Sequence, residues 1–159
     1  MLRHKKKANC YNIKRLDQGD AMALRILVVD DEQDMLKFIS MILRETETQI
    51  VTTSDPVEAL ELAQLGRYDL VISDLNMPGL DGMELLNSIR SFDADIPVII
   101  ITAYPTAEAV ADAMANSAFD FLIKPFRKEQ LLFTLDKACK WLDLQRENRL
   151  LREMLRAKG

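Results

Sequence analysis

Short runs of apolar residues recur along this chain, each bounded by polar or turn-forming residues. Four of them, at 26–29, 70–72, 98–101 and 121–123, have no polar interruption. Continuous apolar runs of this length are typical of strands buried on both faces, as in a parallel sheet covered by helices. A fifth run, Gln49-Ile50-Val51-Thr52, is more polar and predicts a strand nearer the edge of the sheet.

Helical patterns fill the intervals between these runs. Asp55-Pro56-Val57-Glu58 predicts a helix start, with Asp55 as the cap, Pro56 in the first turn and Glu58 completing a capping box. Helices are also predicted over 82–91, over 106–115 and from Arg127 onward, and after the first strand from the helical spacing of Met35, Phe38, Ile39, Ile42 and Leu43. Five strands alternating with five helices predict a doubly wound, flavodoxin-like α/β fold, with a parallel sheet in the order 2-1-3-4-5.

The last helix continues beyond the length that the sheet needs. Leu131, Leu135, Ala138 and Leu142 form a stripe that can cover the sheet. A second seam, at Trp141, Leu144, Asn148, Leu151 and Leu155, has the 3-4-3-4 spacing of a coiled coil. It predicts a parallel homodimer in which Asn148 fixes the register and Glu147 lies near Arg152 of the other chain. A solvated helical tail with leucines spaced by chance is the alternative.

Charge divides the 159 residues into three parts. Residues 1–23 carry a net +4, residues 24–126 carry −12 and residues 127–159 carry +4. The acidic centre argues against nucleic-acid binding by the domain, and Lys5-Lys6-Lys7 is most simply a solvated run. We expect a flexible basic arm over 1–23, a domain over 24–140 and a helical coiled-coil linker over 141–159.

The apolar pattern bears on where the protein is located, and the cysteine spacing bears on disulfides and metal sites. The chain has no membrane-spanning apolar run and no secretory signal pattern, which predicts a cytoplasmic protein. Cys10 and Cys139 have neither a disulfide nor a metal-site spacing.

Charged and hydroxyl groups follow four of the predicted strands. They are Asp30 with Asp31, Asp74, Thr102 and Lys124. The carboxyl ends of parallel strands meet at one edge of the sheet, so we expect these groups to converge. Carboxylates suit Mg²⁺, which prefers oxygen ligands and retained waters. We expect Asp31 and Asp74 as direct ligands with the carbonyl of Asn76, and Asp30 acting through water.

A phosphoryl group is the ligand that this set of groups fits best. Asp74 would be the nucleophile that forms an acyl phosphate, Lys124 would supply positive charge and Thr102 a hydrogen bond. Taken singly, Lys124 could be a surface lysine and Thr102 a strand-end hydroxyl. Their joint placement after apolar runs favours a site.

The same residues carry a resemblance to a known family. Val28-Val29-Asp30-Asp31-Glu32, the segment from Asp74 to Gly82, Ile101-Thr102-Ala103 and Lys124-Pro125-Phe126 together resemble the receiver domain of bacterial two-component response regulators. The resemblance implies phosphorylation of Asp74 by a sensor histidine kinase, an acidic pair at the metal, and Thr102 and Lys124 at the phosphoryl group. It also implies that Phe121 is a switch aromatic whose ring turns inward when the hydroxyl moves.

Three segments are similar to the nitrogen-regulation class, whose receivers precede an ATPase that acts on sigma-54 polymerase. These are Ile101 to Tyr104, Ala118 to Leu122 and the tail from Gln145 to Arg152. Ser117 departs from the class, which often carries Gly in that turn, although Asn116 tolerates a left-handed conformation. No ATPase or DNA-binding segment follows in this sequence, so we expect either a regulatory part of a longer activator or a stand-alone receiver that acts by protein contact.

Two other function classes fit these residues less well. An aspartate-nucleophile phosphatase wants a second Asp two residues after the nucleophile, where this chain has Asn76. A degenerate receiver serving as a scaffold would not need the intact set of site residues. Asn76 and Tyr104 follow Asp74 and Thr102 by two residues each, and we expect them to flank the water path and set the rate of dephosphorylation.

Overall fold

The computed structural model describes residues 14–17, 20–66 and 68–159, with side chains from residue 23 onward. Its strands are β1 (Lys14–Asp17), β2 (Asp20–Val29), β3 (Thr48–Thr53), β4 (Leu70–Asp74), β5 (Val98–Thr102) and β6 (Asp120–Ile123). Its helices are α1 (Gln33–Leu43), α2 (Pro56–Leu65), α3 (Gly82–Phe92), α4 (Ala107–Ala115) and α5 (Lys128–Ala157).

Five strands form a parallel sheet in the order β3-β2-β4-β5-β6. When only the five parallel strands are numbered along the chain, starting with β2, this is the predicted order 2-1-3-4-5 of a doubly wound fold. Ser73 pairs with Val29 of β2, and Asp74 pairs with Ile101 of β5. The residues that follow these strands therefore meet at the carboxyl edge of the sheet.

Alternate residues of each strand face two separate cores. Ile26, Val28, Ile72 and Ile99 face α1 and α5, whereas the neighbouring residues Leu27, Val71, Val98 and Ile100 face α2, α3 and α4. Burial of each such side chain contributes about 1.5–3 kcal/mol. The central strands are thus fixed from both sides, which explains why their sequences are apolar without alternation.

The start of the chain contains an element that the apolar pattern does not predict. Strand β1 pairs antiparallel with β2, from Lys14 opposite Ala23 to Asp17 opposite Asp20. Six strands are therefore described where five were predicted, because backbone hydrogen bonds can extend β2 without any side-chain period. The prediction of a flexible arm stays a prediction, since residues 1–13, with Cys10 and Lys5-Lys6-Lys7, and residues 18–19 lie outside the described ranges.

Helix α5 is a single helix of 30 residues, about 45 Å long at 1.5 Å per residue. Leu131, Leu135 and Ala138 are buried and Leu142 packs against the same core, as predicted. From Glu147 onward every residue is exposed. The extended C-terminal helix is thus confirmed. Within the described ranges, no helix has the length and apolar character needed to cross a membrane.

The start of α2 follows the predicted pattern only in part. Asp55 caps the helix by accepting a hydrogen bond from the Val57 N–H, and Pro56 is the first helical residue. The capping box predicted for Glu58 is wrong. The Glu58 carboxylate accepts a hydrogen bond from the Thr53 hydroxyl, whose oxygen in turn accepts one from the Asp55 N–H at 3.1 Å. Sequence spacing cannot foresee this competition from a residue of the preceding strand.

The turn between α4 and β6 places Ser117 in the left-handed region, at φ 65°. The neighbouring Asn116, which tolerates this conformation, instead has φ −91°. Arg90 fixes the turn, since its Nη2 donates to the Ser117 carbonyl at 2.8 Å and its Nη1 to the Ile96 carbonyl at 2.6 Å. Burial is the main reason that the pKa of Arg90 is lowered from its usual value, against the opposing charges of Asp93 and Asp95.

Replacing Ser117 with Gly should stabilise the protein by about 0.5–1 kcal/mol, because Gly has no Cβ to oppose the left-handed conformation. The free energy of unfolding in urea measures this. Asn116→Gly is the matched control and should destabilise, since its conformation suits any residue and its side chain donates to the Asp112 carbonyl. A loss of stability in Ser117→Gly would contradict the assigned strain.

Candidate functional site

The predicted site residues converge at the carboxyl edge of the sheet. Asp74 ends β4, Thr102 ends β5 and Asp30 follows β2, and all three are buried. Asp31, next to Asp30, is exposed. Lys124 follows β6, and its backbone N–H donates to the Thr102 carbonyl at 2.8 Å. Strand pairing therefore places the lysine two strands away from Asp74, within reach across β5.

The ammonium group of Lys124 lies among three carboxylates. Its Nζ is 2.8 Å from Asp30 Oδ2, 3.1 Å from Glu32 Oε1 and 3.2 Å from Asp74 Oδ2. Burial by itself would lower the pKa of Lys124, but the contacts with Asp30, Asp74 and Glu32 outweigh burial and raise it. The lysine is therefore charged at neutral pH and partly neutralises the two buried acids.

The pKa of the Asp74 carboxyl group is raised, whereas an ordinary ion-paired acid has a lowered pKa. Burial, followed by the charge of Asp30, raises its pKa from 3.8 to about 6, against the lowering effects of Lys124 and the Asn76 N–H. One cation thus compensates the acids only in part. Ionised Asp74 remains a source of electrostatic cost to the folded state.

The Thr102 hydroxyl is placed between the loops that follow β4 and β5. Its oxygen accepts hydrogen bonds from Asn76 Nδ2 at 2.9 Å and from the Tyr104 N–H at 3.0 Å. A hydroxyl has two acceptor lone pairs and one proton to donate. Because both lone pairs are occupied, the Thr102 hydroxyl can still donate its proton but cannot accept a further hydrogen bond.

The acidic residues suit a hard divalent cation. One carboxylate oxygen from each of Asp30, Asp31 and Asp74 lies within 4.8 Å of the other two. Asp30 Oδ1 accepts from the Glu32 N–H at 2.9 Å, whereas buried Asp30 Oδ2 has the ion-pair contact with Lys124 and no well-directed hydrogen bond from the described residues. Oxygen ligands with spare acceptor capacity and mutual repulsion fit Mg²⁺.

Glu32 also belongs to this cluster, although the sequence predicts no role for it beyond membership of the acidic motif after the first strand. The signal that could have identified it is its position directly after Asp30 and Asp31, at the start of a helix. Its contact with Lys124 joins residues 92 positions apart, so no local sequence pattern predicts it.

Two predicted residues lie outside this cluster of charges. The Phe121 side chain is half-buried and packs against the core that faces α2, α3 and α4, with Phe121 opposite Ile100 in the sheet. The Tyr104 side chain is 72% exposed, although its N–H contacts Thr102. Their predicted roles in switching and dephosphorylation stay predictions.

The predicted dimer seam divides into a docked residue and an exposed set. Trp141 is half-buried and meets Phe119 edge to face, with ring centroids 6.0 Å apart. Leu144, Asn148, Leu151 and Leu155 are exposed along the tail. Part of the Trp141 ring is therefore used within its own chain, and the surface open to a second chain begins at Leu144.

The model of the response regulator receiver domain family matches residues 26–136. This match covers well over half of the chain, and it includes every residue of the cluster described above. The chain belongs to the response regulator receiver domain family. Its fold and its class as a signalling domain follow from this membership.

Three relatives show the range of proteins that contain such a receiver. The C4-dicarboxylate transport transcriptional regulatory protein DctD of Pseudomonas aeruginosa is 36% identical over 80% of this chain and 28% of its own length. The solved chemotaxis protein CheY4 of Vibrio cholerae is 33% identical with a TM-score of 0.69, over 73% of this chain and 98% of CheY4. NtrX of Brucella abortus, solved with ADP, is 32% identical with a TM-score of 0.76, over 82% of this chain and 30% of NtrX.

Curated relatives of this receiver are mostly longer than the matched region. The chain spans 20% of the first of them, a two-component response regulator of Arabidopsis thaliana, and 46% of a transcriptional regulatory protein of Mycobacterium tuberculosis. What those whole proteins do therefore reaches this receiver only by proposal.

The raised pKa of Asp74 gives the receiver a defined pH dependence. The folded state binds the Asp74 proton more tightly than the unfolded chain, so this residue's contribution to stability falls as the pH rises from about 4 to about 6 and is level above that. Asp74→Asn should remove this fall. In EDTA at pH 7.5 it should raise the free energy of unfolding by about 1–3 kcal/mol, and at pH 4 it should have little effect.

Urea unfolding across this pH range measures the difference between the two proteins. Asp112→Asn, which changes an exposed carboxylate on α4, is the control and should leave the profile unchanged. An Asp74→Asn variant that is less stable than the parent at pH 7.5 would show that Asp74 is a net stabilising partner of Lys124.

Proposed function

We propose that this receiver accepts a phosphoryl group on Asp74 from a sensor histidine kinase and thereby switches its contacts with other proteins. The observation that carries the proposal is the position of Lys124, whose Nζ lies 3.2 Å from Asp74 Oδ2 beside the acidic pair. A buried carboxylate with a fixed cation next to it is an acceptor with charge already in place for the incoming group.

In this reaction a carboxylate oxygen of Asp74 attacks the phosphorus atom of a phosphohistidine. The new O–P bond forms as the N–P bond breaks, and the departing imidazole takes the bonding electron pair and then a proton from solvent. Lys124 donates to the phosphoryl oxygens, and the free proton of Thr102 provides a further hydrogen bond. The same chemistry applies to a small acyl phosphate, from which a carboxylate departs.

Mg²⁺ is the cofactor that the carboxylates fit. Asp31 and Asp74 would bind it directly together with the Asn76 carbonyl, and Asp30 would act through water because its oxygens already contact Lys124 and the Glu32 N–H. When bound, the ion would neutralise negative charge on the transferring phosphoryl group. It would also relieve the repulsion that raises the pKa of Asp74.

The switch would act through the Thr102 hydroxyl. Movement of this hydroxyl toward a phosphoryl group would break its hydrogen bonds with Asn76 and with the Tyr104 N–H, and so release the loop after β5. The ring of Phe121, on the neighbouring strand, would then turn inward. Asn76 and Tyr104 would flank the attacking water and set the lifetime of the acyl phosphate.

The output that we propose is control of sigma-54-dependent transcription within a longer activator. The similarity to DctD and to ADP-bound NtrX, over part of each, supports this. A stand-alone receiver that acts by protein contact is the second candidate, supported by the match over 98% of CheY4. An aspartate-nucleophile phosphatase is disfavoured, because Asn76 has an amide that donates to Thr102 where that class needs an acid.

Acetyl phosphate with Mg²⁺ should modify this chain at Asp74 alone, because Asp74 lies between Lys124 and the acidic pair Asp30 and Asp31, which is expected to act at the metal. Intact-mass spectrometry at short times, followed by site mapping after borohydride trapping, is the measurement. Asp74→Asn should lose the modification, whereas Asp69→Asn, another buried Asp, should keep it. Equal labelling of Asp74→Asn and the parent would refute the assignment.

We further propose a parallel homodimer through the exposed part of α5. Leu151 and Leu150 are adjacent and almost equally exposed, at 57% and 56%, but only Leu151 lies on the 3-4-3-4 seam. A charge placed on the seam would be buried in the dimer, whereas a charge beside it would stay in water.

Leu151→Glu should therefore shift the chain to a monomer, with a dissociation constant raised at least about tenfold, and Leu150→Glu should leave it dimeric. Light scattering coupled to gel filtration measures both. If the two variants behave alike, the dimer does not use this seam, and an interface on the body of the domain would replace it.

A further inference from the structure

The Lys124 ammonium group is shared among three carboxylates. Its Nζ donates hydrogen bonds to Glu32 Oε1 at 3.1 Å and to Asp74 Oδ2 at 3.2 Å, and it has an ion-pair contact with Asp30 Oδ2 at 2.8 Å. A phosphoryl group on Asp74 would add acceptor oxygens beside the same nitrogen. These oxygens would compete with the present carboxylates, because an ammonium carries only three N–H protons.

The three contacts differ in how easily they can be released. The side chains of Asp30 and Asp74 are 1% and 5% exposed, so an oxygen that loses the lysine there is left without water. The Glu32 side chain is 62% exposed. Water can replace the lysine at Glu32, which makes this contact the one that is exchanged at least cost.

The backbone of Glu32 keeps this movable carboxylate in place. Its N–H donates to Asp30 Oδ1 at 2.9 Å, and its carbonyl accepts from the N–H groups of Met35 and Leu36 at the start of α1. The backbone of Glu32 is thus fixed beside the acidic pair, whereas its carboxylate is exposed to solvent apart from the contact with Lys124. Only the carboxylate needs to move when Lys124 changes partner.

We propose that Glu32 is a positioning residue that holds Lys124 before phosphorylation and is displaced when Lys124 binds the phosphoryl group. This inference rests on the proposed function, since it assigns Glu32 a part in the same reaction. Glu32 restrains the reaction in two ways. It occupies one proton of the lysine, and its negative charge at the mouth of the site repels an anionic phosphodonor.

The test uses the full chain with three variants. Glu32→Gln keeps the length of the side chain but replaces the charge with an amide, which binds an ammonium more weakly. Glu32→Asp keeps the charge but is one methylene shorter and draws the carboxylate away from Nζ. Glu61→Gln makes the same chemical change as the first variant at an exposed position on α2.

The affinity of each protein for beryllium trifluoride, a phosphoryl mimic, is measured by calorimetry at saturating Mg²⁺. The affinity for Mg²⁺ is measured separately, in the absence of beryllium trifluoride. Both Glu32 variants should bind beryllium trifluoride about three- to tenfold more tightly than the parent, and acetyl phosphate should modify them faster by a similar factor. Neither should bind Mg²⁺ more tightly. Damage to the fold would instead weaken both affinities and lower the urea midpoint. Glu61→Gln should match the parent.

Two results would overturn the role of Glu32. One is a Glu32→Gln variant that binds beryllium trifluoride no better than the parent. The other is a Glu32→Asp variant that behaves like the parent while Glu32→Gln binds more tightly, since charge alone would then explain the effect and the contact with Lys124 would not. A parent chain that takes neither beryllium trifluoride nor phosphate would refute the proposed function as well, so the two failures are distinguishable.

Discussion

The contact between the Lys124 ammonium and the buried carboxylates of Asp30 and Asp74 is the interaction on which the site depends. Two acids at the edge of an apolar sheet are costly to ionise together, and the rise in the pKa of Asp74 to about 6 shows that one lysine does not remove the cost. The folded chain therefore holds a site that is short of positive charge. A divalent cation is the natural complement. Residues 24–126 carry a net −12, which adds to the shortage of positive charge, and the cores on both faces of the sheet hold the site residues in place.

The topology explains why these groups meet. With β4 in the centre of the parallel sheet, between β2 and β5, the loops after three adjacent strands open at the same edge. Lys124 then reaches Asp74 across β5 from the edge strand β6. Asp74 and Thr102 are the last residues of their strands, and Asp30 and Lys124 are the first residues after theirs. Because apolar packing fixes these strands, it also fixes the positions of the polar atoms at their ends.

Helix α5 is docked on the domain in its first half and extends away from it in its second half. Its first half is buried through Leu131, Leu135 and Ala138, and Trp141 closes this docked part by packing on Phe119. Leu142 also packs against the core, and from Glu147 onward every residue of the helix is exposed. This last part depends on the helix's own hydrogen bonds and on the docked turns that precede it. The leucines of this exposed part form the surface on which the proposed dimer depends.

The sequence was sufficient to predict the parallel sheet, the bounds of most helices and the residues at the strand ends, because each is recorded in local periodicity or in residues adjacent to a strand. It also predicted the strand order, from the expectation that Asp30, Asp31 and Asp74 share one crevice, and the family, from its motifs. It did not determine β1, the true partner of Glu58, the left-handed Ser117 or the docking of Trp141 on Phe119. Nor did it assign Glu32, whose contact with Lys124 spans 92 positions. These features follow from tertiary packing, since each depends on which atoms compete for one hydrogen bond or one surface, and that competition exists only after distant segments have packed together.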